Sequence, residues 1–433
     1  MNHVPLALTA ISNRMNRLVL IGNGFDLAHG LKTNYADFIN WYWDYRMHKF
    51  TNTYSTESID NLCSFKVKFG EDGHELWSTI AFSHNYFNSA LGREYIGKDI
   101  IASIIDDKKN FETKFSPFFE RIIKSIETKG WVDIENEYYN LLKNFAINNP
   151  SEENLRSLNI QLTYLQDLLV KYLTEVSQQE VKEIPSIREA IYSPFAPNDI
   201  AISEKDTLQK HVNHWGDPTN DVVLNDKINL YTLETEEYLS ELNTWRNKNN
   251  RIVSFPFIPA CPKAFLLPNN IMFLNFNYTS TVNQYIRKPN SLIDNHIHGE
   301  IIHPESIIFG YGDELDSGYK QLQELGNNEC LRNVKSIRYL EAPNYRKVLS
   351  FIESEPFQVL IMGHSCGNSD RTLLNTIFEH KNCVSIKPYY YQKEDGTDNY
   401  IEIVQNISRN FTDMKLMRDR VVNKTQCEPL VHD

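Results

Sequence analysis

The stretch RLVLIGNGFDLAHG, residues 17–30, decides the fold that the sequence predicts. Leu18–Ile21 is a short, continuous apolar run, which is typical of a strand buried on both faces in a parallel sheet. The run ends at Gly22-Asn23-Gly24, where two glycines allow a sharp turn and bring backbone N–H groups close to a ligand. A short helical turn follows, and its free N-terminal amides favour an anion at the same place. This order indicates a phosphate-binding loop or a tight β–α connection that binds nothing.

Length and composition indicate a globular protein. The chain has 433 residues, of which 41% are hydrophobic and 23% charged, and its length allows about three domains. The net charge of −12 argues against general nucleic-acid binding, because such binders need surplus Lys and Arg. The six cysteines form no C-x-x-C pair, which predicts reduced thiols and a cytoplasmic location. No apolar run approaches the ~18 residues of a membrane span, so we expect no membrane association.

The pattern of the sequence changes twice along the chain. Met15 directly precedes the first predicted strand, so residues 1–14 are expected to be a dispensable extension. Residues 46–264 are mostly polar with helical spacing, and they predict a large helical insertion domain after the first strand and helix. Beyond it, short apolar runs typical of strands return at residues 271–274, 291–293, 306–309, 357–362, 384–391 and 400–404. Strands that alternate with helices predict an α/β fold, with a Rossmann-like, doubly wound, mostly parallel sheet in a nucleotide-binding domain of residues 1–45 and 265–433.

Four short polar motifs follow predicted strands, where an open α/β sheet places its ligand. They are Gly22-Asn23-Gly24-Phe25-Asp26, Asn275-Phe276-Asn277-Tyr278-Thr279, His296-Ile297-His298-Gly299 and the segment from Gly363 to Asp370. Hundreds of residues separate the first motif from the last. We expect all four to converge at one edge of a single sheet and to form a common nucleotide cleft.

The chain resembles the bacterial AbiH phage abortive-infection family nearly from end to end. The segments that carry the resemblance are LIGNGFDLAHGLKTNY (20–35), WVDIE (131–135), FNYT (276–279), HIHG (296–299) and GHSxxNSD (363–370). The resemblance implies an anti-phage effector that is activated by a phage component or by assembly into homo-oligomers. Within the WVDIE motif, Trp131 is interpreted as a core anchor, and Glu135 either lines the pocket as a lid or is a surface or interhelix carboxylate.

The order of the motifs is also similar to that of sirtuin-like NAD-consuming domains. This similarity implies an NAD glycohydrolase-like enzyme that cleaves the nicotinamide–ribose bond of NAD or a related nucleotide, with no metal required. His298 would be the general base, because an unperturbed imidazole titrates near neutral pH, and Asn277 would hold the water or a ribose hydroxyl. Nucleotide-binding roles would fall to Gly22, Asn23, Gly24, Phe25, Asp26, Gly363, Ser365 and Asp370. For Asp370 the plainer interpretation is an N-cap of the helix that follows.

Two positions in the first motif depart from the sirtuin-like pattern. Asn23 replaces a small Ala, and Asp26 replaces a Ser beside the expected diphosphate. A carboxylate at residue 26 would repel a phosphate unless a ribose hydroxyl, a metal or a backbone amide holds it. The four-Cys zinc module of deacetylating sirtuins is absent from the sequence, which argues against protein deacetylation.

Three other functions remain open from the sequence. Residues 363–367, GHSCG, fit the G-x-S-x-G nucleophile elbow of serine hydrolases with Ser365 as nucleophile, although only His380 and His432 follow it. A metal site could draw its ligands from a further set of residues, namely His296, His298, His303, His364 and Asp313. The third function is a non-catalytic nucleotide-sensing or interaction module in phage defence. An enzyme would consume NAD, whereas a sensor would bind it and leave it intact.

Overall fold

A computed structural model describes residues 13–52, 57–68, 97–129, 132–249, 261–287 and 292–432. The chain divides into two compact units. The sheet unit draws on Met1–His29, Val181–Glu300 and Tyr339–Asp433, and the second unit draws on Gly30–Glu180 and Ile301–Arg338. Trp131 lies outside the described residues. The predicted domain division at residues 45 and 265 stays a prediction.

Strands and helices alternate through much of the described chain. The strands are β1 Asn16–Ile21, β2 Glu57–Ile59, β3 Cys63–Val67, β4 Phe111–Phe115, β5 Ile271–Asn275, β6 Leu292–His296, β7 Phe357–Met362 and β8 Cys383–Tyr389. The helices are α1 Asn23–Ala28, α2 Tyr35–Asn52, α3 Gly97–Asp106, α4 Pro117–Lys129, α5 Ile134–Lys143, α6 Glu152–Val176, α7 Pro185–Tyr192, α8 Lys205–Gly216, α9 Asp221–Tyr231, α10 Thr235–Lys248, α11 Ser317–Glu324, α12 Lys335–Arg338, α13 Asn344–Ser354, α14 Arg371–Phe378, α15 Tyr400–Arg409 and α16 Met414–Arg420. In these ranges no helix is both long enough and apolar enough to cross a bilayer.

The sheet unit is built on five parallel strands in the order β6-β5-β1-β7-β8. Every residue of β1 is buried, because β5 and β7 flank it and both of its faces are covered. The chain adds β5 and β6 on one side of β1, and then β7 and β8 on the other side. The predicted α/β class with a mostly parallel sheet is therefore confirmed. The reversal of strand order at β1 fits a Rossmann-like, doubly wound sheet.

Helices α7 to α10 cover one face of this sheet. Val19 and Ile21 of β1 alternate onto that face, and Leu360 of β7 joins them in one hydrophobic core. The helices contribute buried apolar residues to the same core, among them Ile187, Val212, Ile228 and Leu242. Part of the segment predicted as a helical insertion thus belongs to the sheet unit.

Two of the predicted strands are wrong. Residues 400–404 begin helix α15, whose buried residues Tyr400, Ile403 and Ile407 recur at helical spacing. Residues 307–309 are buried but form no strand with any described part of the chain. A short apolar run is compatible with either type of element, and the burial of one face decides between them.

The second unit combines an antiparallel sheet in the order β2-β3-β4 with helices. Inside it, the carboxylate of Glu135 pairs with the Lys335 ammonium at 2.8 Å and accepts the Gly310 N–H at 3.1 Å. Lys335 is only 1% exposed. This buried pair ties α5 to the segment around residues 310–335 and gives Glu135 a structural role in its own unit.

We expect Glu135→Gln to lower the free energy of unfolding by about 3 kcal/mol or more, because it removes the negative charge from a buried ion pair with Lys335. The control is Glu112→Gln, which removes an exposed ion pair with Lys114 in the same unit. Urea unfolding of both variants measures the difference. Equal stability of the two variants would contradict a structural role for the buried pair.

Candidate functional site

The four polar motifs lie at one edge of the sheet. They follow β1, β5, β6 and β7, which are four neighbours in the strand order, and parallel strands present their carboxyl ends at the same edge. At this edge Ile21 pairs with Asn275 on one side and Met362 on the other, and Asn275 pairs with His296. The structure therefore brings together motifs that are hundreds of residues apart in the sequence.

The loops after β1 and β7 touch backbone to backbone. The Gly22 N–H donates to the Met362 carbonyl at 3.1 Å, and the Gly24 N–H donates to the Gly363 carbonyl at 2.8 Å. Gly363 has a φ of 73°, and a Cβ on it would collide with the Phe25 nitrogen. The glycines are therefore required by the packing of one loop on the other.

This contact affects the expected diphosphate cradle. The N–H groups of Gly22 and Gly24 donate to the β7 loop, and the Phe25 N–H donates to the Gly22 carbonyl at 2.8 Å. A diphosphate at this position would find these three amides already engaged. The nucleotide-binding roles of residues 22–26 and of Gly363 stay predictions.

Asp26 is held by side chains of the second motif. It is 1% exposed, and its Oδ2 accepts the Thr279 hydroxyl at 2.5 Å. Its Oδ1 has no hydrogen-bond partner among the described residues. Burial raises the pKa of Asp26, although the hydrogen bond from Thr279 and the nearby polar groups of Thr281 and Asn277 oppose the shift. The Thr279 hydroxyl thus binds one oxygen of the Asp26 carboxylate. The sequence had predicted that this carboxylate lies beside a phosphate.

Asn277 connects the second motif to the first. Its side-chain amide donates to the Gly22 carbonyl at 3.0 Å, and its backbone N–H donates to Asn275 Oδ1 at 2.9 Å. These bonds stabilise the turn after β5 against the glycine loop. The predicted catalytic role of Asn277 stays a prediction.

His298 contacts the carboxylate of Asp370. Its Nε2 lies 3.2 Å from Asp370 Oδ1 and 3.2 Å from the Tyr339 hydroxyl. Nε2 of His364 lies 3.6 Å from the other oxygen of Asp370. The ring of Phe276 packs against both imidazoles, with centroid distances of 5.3 and 4.1 Å. Two buried histidines from different motifs therefore share one buried carboxylate.

This arrangement is suited to proton transfer. A carboxylate on one ring nitrogen fixes the tautomer of an imidazole and stabilises its protonated form. With Nε2 of His298 directed at Asp370, the other nitrogen, Nδ1, is the one that can act as a base. Sequence reasoning assigned His298 to this chemistry but not Asp370, Tyr339 or His364. The H-S-x-x-x-x-D spacing in the fourth motif is too common to identify such a carboxylate.

Asp370 stands at the N-cap position of α14, as the plainer interpretation expected, but its side chain makes no capping hydrogen bond. Its two oxygens face the two imidazoles instead. The position of Asp370 in the turn is set locally, whereas the orientation of its side chain depends on β6, which β5 and β1 separate from β7 in the sheet.

The geometry around Ser365 gives no support to a serine hydrolase. Ser365 is exposed, and within the described chain its hydroxyl has no histidine partner. The non-glycine residue of GHSCG with a left-handed backbone is Cys366, with a φ of 55°, and not Ser365. Cys366 is fully buried, and burial raises the pKa of its thiol well above the ordinary value.

His296, the first histidine of the third motif, has its own acidic partner. Its Nε2 lies 3.1 Å from Asp294 Oδ2, and its Nδ1 lies 3.2 Å from the Asn277 carbonyl. Burial alone would lower the pKa of His296, but the hydrogen bond and charge of Asp294 outweigh burial and raise it. The D-x-H spacing on β6 could have identified this pair, because residues two apart share a face of a strand.

The metal-site alternative concerned His296, His298, His303, His364 and Asp313. His303 is exposed and lies beside Glu305. Over the ranges that the structure describes, no three His, Cys, Asp or Glu side chains are grouped so that they could hold a metal ion.

Comparison with known proteins gives one match. The family model described as "Bacteriophage abortive infection AbiH" matches residues 18–391, which contain all four motifs. No curated protein and no solved structure matches the chain.

We expect Gly363→Ala to destabilise the protein more than Gly396→Ala. Both glycines have a positive φ, 73° and 81°, so both variants carry backbone strain of about 1–2 kcal/mol. Only Gly363 is packed against another loop, whereas nothing lies within 4 Å of a Cβ on Gly396. The clash should cost a further ~1–3 kcal/mol in chemical unfolding. Equal losses in the two variants would show that the loop contact is not tightly packed.

We expect Asp26→Asn to raise stability at neutral pH. The folded-state pKa of Asp26 is raised, so its stabilising contribution is present below its ordinary pKa and is lost as pH rises through the folded value. Asn avoids that loss, and the gain of the variant in urea unfolding should grow as the pH rises above the ordinary pKa of an aspartate.

The control is Asp395→Asn, because hydrogen bonds from Thr397 lower the pKa of this exposed carboxylate. That variant should show no gain. If Asp26→Asn instead lowers the free energy of unfolding by the same amount at every pH, the charge on Asp26 does not destabilise the folded protein, and the prediction is wrong.

Proposed function

The chain belongs to the bacteriophage abortive infection AbiH family, and on that premise we propose that it is an effector enzyme that cleaves the nicotinamide–ribose bond of NAD or a related nucleotide. The family gives the protein a role in phage abortive infection. The observation that carries the catalytic part of the proposal is the contact between His298 and Asp370. It lies at the edge of the sheet where α/β proteins bind their ligands.

The proposed chemistry needs a base and a water. The bond between ribose C1′ and the nicotinamide nitrogen breaks, the electron pair stays on that nitrogen, and neutral nicotinamide leaves. A water oxygen bonds to C1′, and its proton passes to Nδ1 of His298. Asp370 then stabilises the imidazolium through Nε2.

Asp26 supports a sugar at this edge. Its buried Oδ1 lacks a partner among the described residues, and a carboxylate oxygen can accept a hydrogen bond from a ribose hydroxyl. This assignment removes the repulsion expected if the same carboxylate faced a phosphate. Asp26 would then select the sugar, while Asn277 fixes the neighbouring turn.

A second candidate is a non-catalytic nucleotide-sensing or interaction module. One observation favours the interaction module within this candidate: the Gly22, Gly24 and Phe25 amides are engaged within the protein, which counts against a diphosphate bound to them. The catalytic candidate requires control until infection, because unrestrained NAD loss would stop the host. A phage component or homo-oligomer formation would supply that control.

We expect His298→Ala, Asn277→Ala and Asp370→Asn to abolish protection of cells from phage, and to lower nicotinamide release by about a hundredfold or more. Release is measured on purified protein with NAD, with and without phage lysate, and circular dichroism checks folding. The control is His303→Ala, which changes an exposed histidine outside the proposed machinery and should retain both activities.

Stoichiometric NAD binding without nicotinamide release would favour the sensing module. Full protection by folded His298→Ala and Asp370→Asn would rule out the catalytic proposal. Loss of protection in Ser365→Ala would instead support the serine hydrolase alternative.

A further inference from the structure

A polar cavity of about 250 Å³ lies within the sheet unit, and none of the residues that line it belongs to the four motifs. Its floor is the face of the sheet that helices α7–α10 cover. Arg17 and Gln358 reach it from the first halves of β1 and β7, and Lys387 reaches it from β8. Ser186 of α7 and Asp199 form part of the wall.

Arg17 places a buried positive charge at the floor. It is 1% exposed, and its Nη1 donates to the carbonyls of Ile191 and Ser193 at 2.8 and 2.6 Å. Its Nη2 donates to Gln358 Oε1 at 3.0 Å. Burial lowers the pKa of Arg17 to about 10, so the guanidinium remains charged at neutral pH. None of these hydrogen-bond acceptors is a carboxylate.

Three buried polar atoms around the cavity have no hydrogen-bond partner in the part of the chain that the structure describes. They are Arg17 Nε, Asp199 Oδ1 and Ser186 Oγ. Unsatisfied buried polar atoms are costly, and proteins normally satisfy them with water or a ligand. One is a charged donor, one is a carboxylate acceptor, and the hydroxyl can act as either.

The charges around the cavity indicate which kind of ligand fits. Lys387 is paired with Asp199 Oδ2 at 3.1 Å, so these two charges cancel. The three buried charged residues Arg17, Asp199 and Lys387 therefore have a net charge of one positive unit, which Arg17 supplies. The exposed rim carries Glu189 and Glu428 together with His432. A simple anion would neutralise the floor but meet acidic groups at the rim. A molecule that carries both charges complements both.

We propose that this cavity binds a small zwitterion of amino-acid size, with its carboxylate on Arg17 and its ammonium group on Asp199. A guanidinium group binds carboxylates well. In Arg17 both Nη atoms already donate hydrogen bonds within the protein, so the Nε–H is the donor available to the ligand. Oδ1 of Asp199 accepts the ammonium group, and Ser186 donates to the carboxylate. The cavity has the volume of about eight waters, at roughly 30 Å³ each, which is enough for a ligand of this size.

The test uses the full-length protein and isothermal titration with each of the twenty L-amino acids, up to about 10 mM. Two probes lack one of the charges: acetate has no amine, and ethylamine has no carboxylate. We expect at least one amino acid to bind and to raise the melting temperature with increasing concentration, and both single-charge probes to bind at least about tenfold more weakly. Binding of acetate as tightly as of the best amino acid would overturn the zwitterion. So would an absence of binding by all twenty.

Two variants locate the site. Ser186→Ala removes an atom that makes no hydrogen bond within the described protein, so it should fold normally and bind the amino acid about five- to tenfold more weakly. Asp199→Asn should lose more than tenfold for the amino acid while changing acetate binding less. The control is Ser203→Ala, an exposed serine outside the cavity, which should bind as the unaltered protein does. Unchanged binding in Ser186→Ala and in folded Asp199→Asn would place any amino acid elsewhere and overturn the proposal.

Discussion

The close contact between the loops after β1 and β7 is the constraint on which the candidate site depends. Glycine is needed at Gly22, Gly24 and Gly363. A Cβ on Gly22 or Gly24 would clash with the loop after β7, and a Cβ on Gly363 would clash with the loop after β1. The contact occurs where the strand order reverses, between two neighbouring parallel strands. It leaves the His364 backbone beside Gly22, so the fourth motif starts from a position set by the first.

The proton-transfer group follows from that position. His364 and Asp370 leave β7 in one loop, and His298 arrives from β6 on the far side of β1 and β5. Asp370 meets both imidazoles, and Phe276 from the loop after β5 fills the space between them. Burial of the group strengthens each of these electrostatic contacts, because little water is present to screen them.

Buried polar atoms that the described protein does not satisfy occur at both proposed binding places in the sheet unit. Asp26 lies at the carboxyl edge of the sheet, and Arg17 and Asp199 lie on its face. A protein selected only for stability would replace such groups, since an apolar core of the same shape avoids their desolvation. A bound ligand would complete the hydrogen bonds of these atoms at the two binding places proposed on this sheet.

The parallel α/β sheet, the strand that starts it and the four motifs at its edge could all be predicted from the amino-acid sequence. Continuous apolar runs such as Leu18–Ile21, each followed by polar residues, are local patterns that need no knowledge of distant contacts. Local patterns gave the wrong prediction at residues 400–404, where burial of one face selects a helix. They also did not show that Gly22, Gly24 and Gly363 are required by the packing of one loop on another. The pairing of His298 with Asp370, the unpartnered oxygen of Asp26 and the cavity around Arg17 were decided only by the tertiary structure. Each of them depends on which residues from distant strands are placed side by side, and strand order is a property of the packed sheet that no single segment encodes.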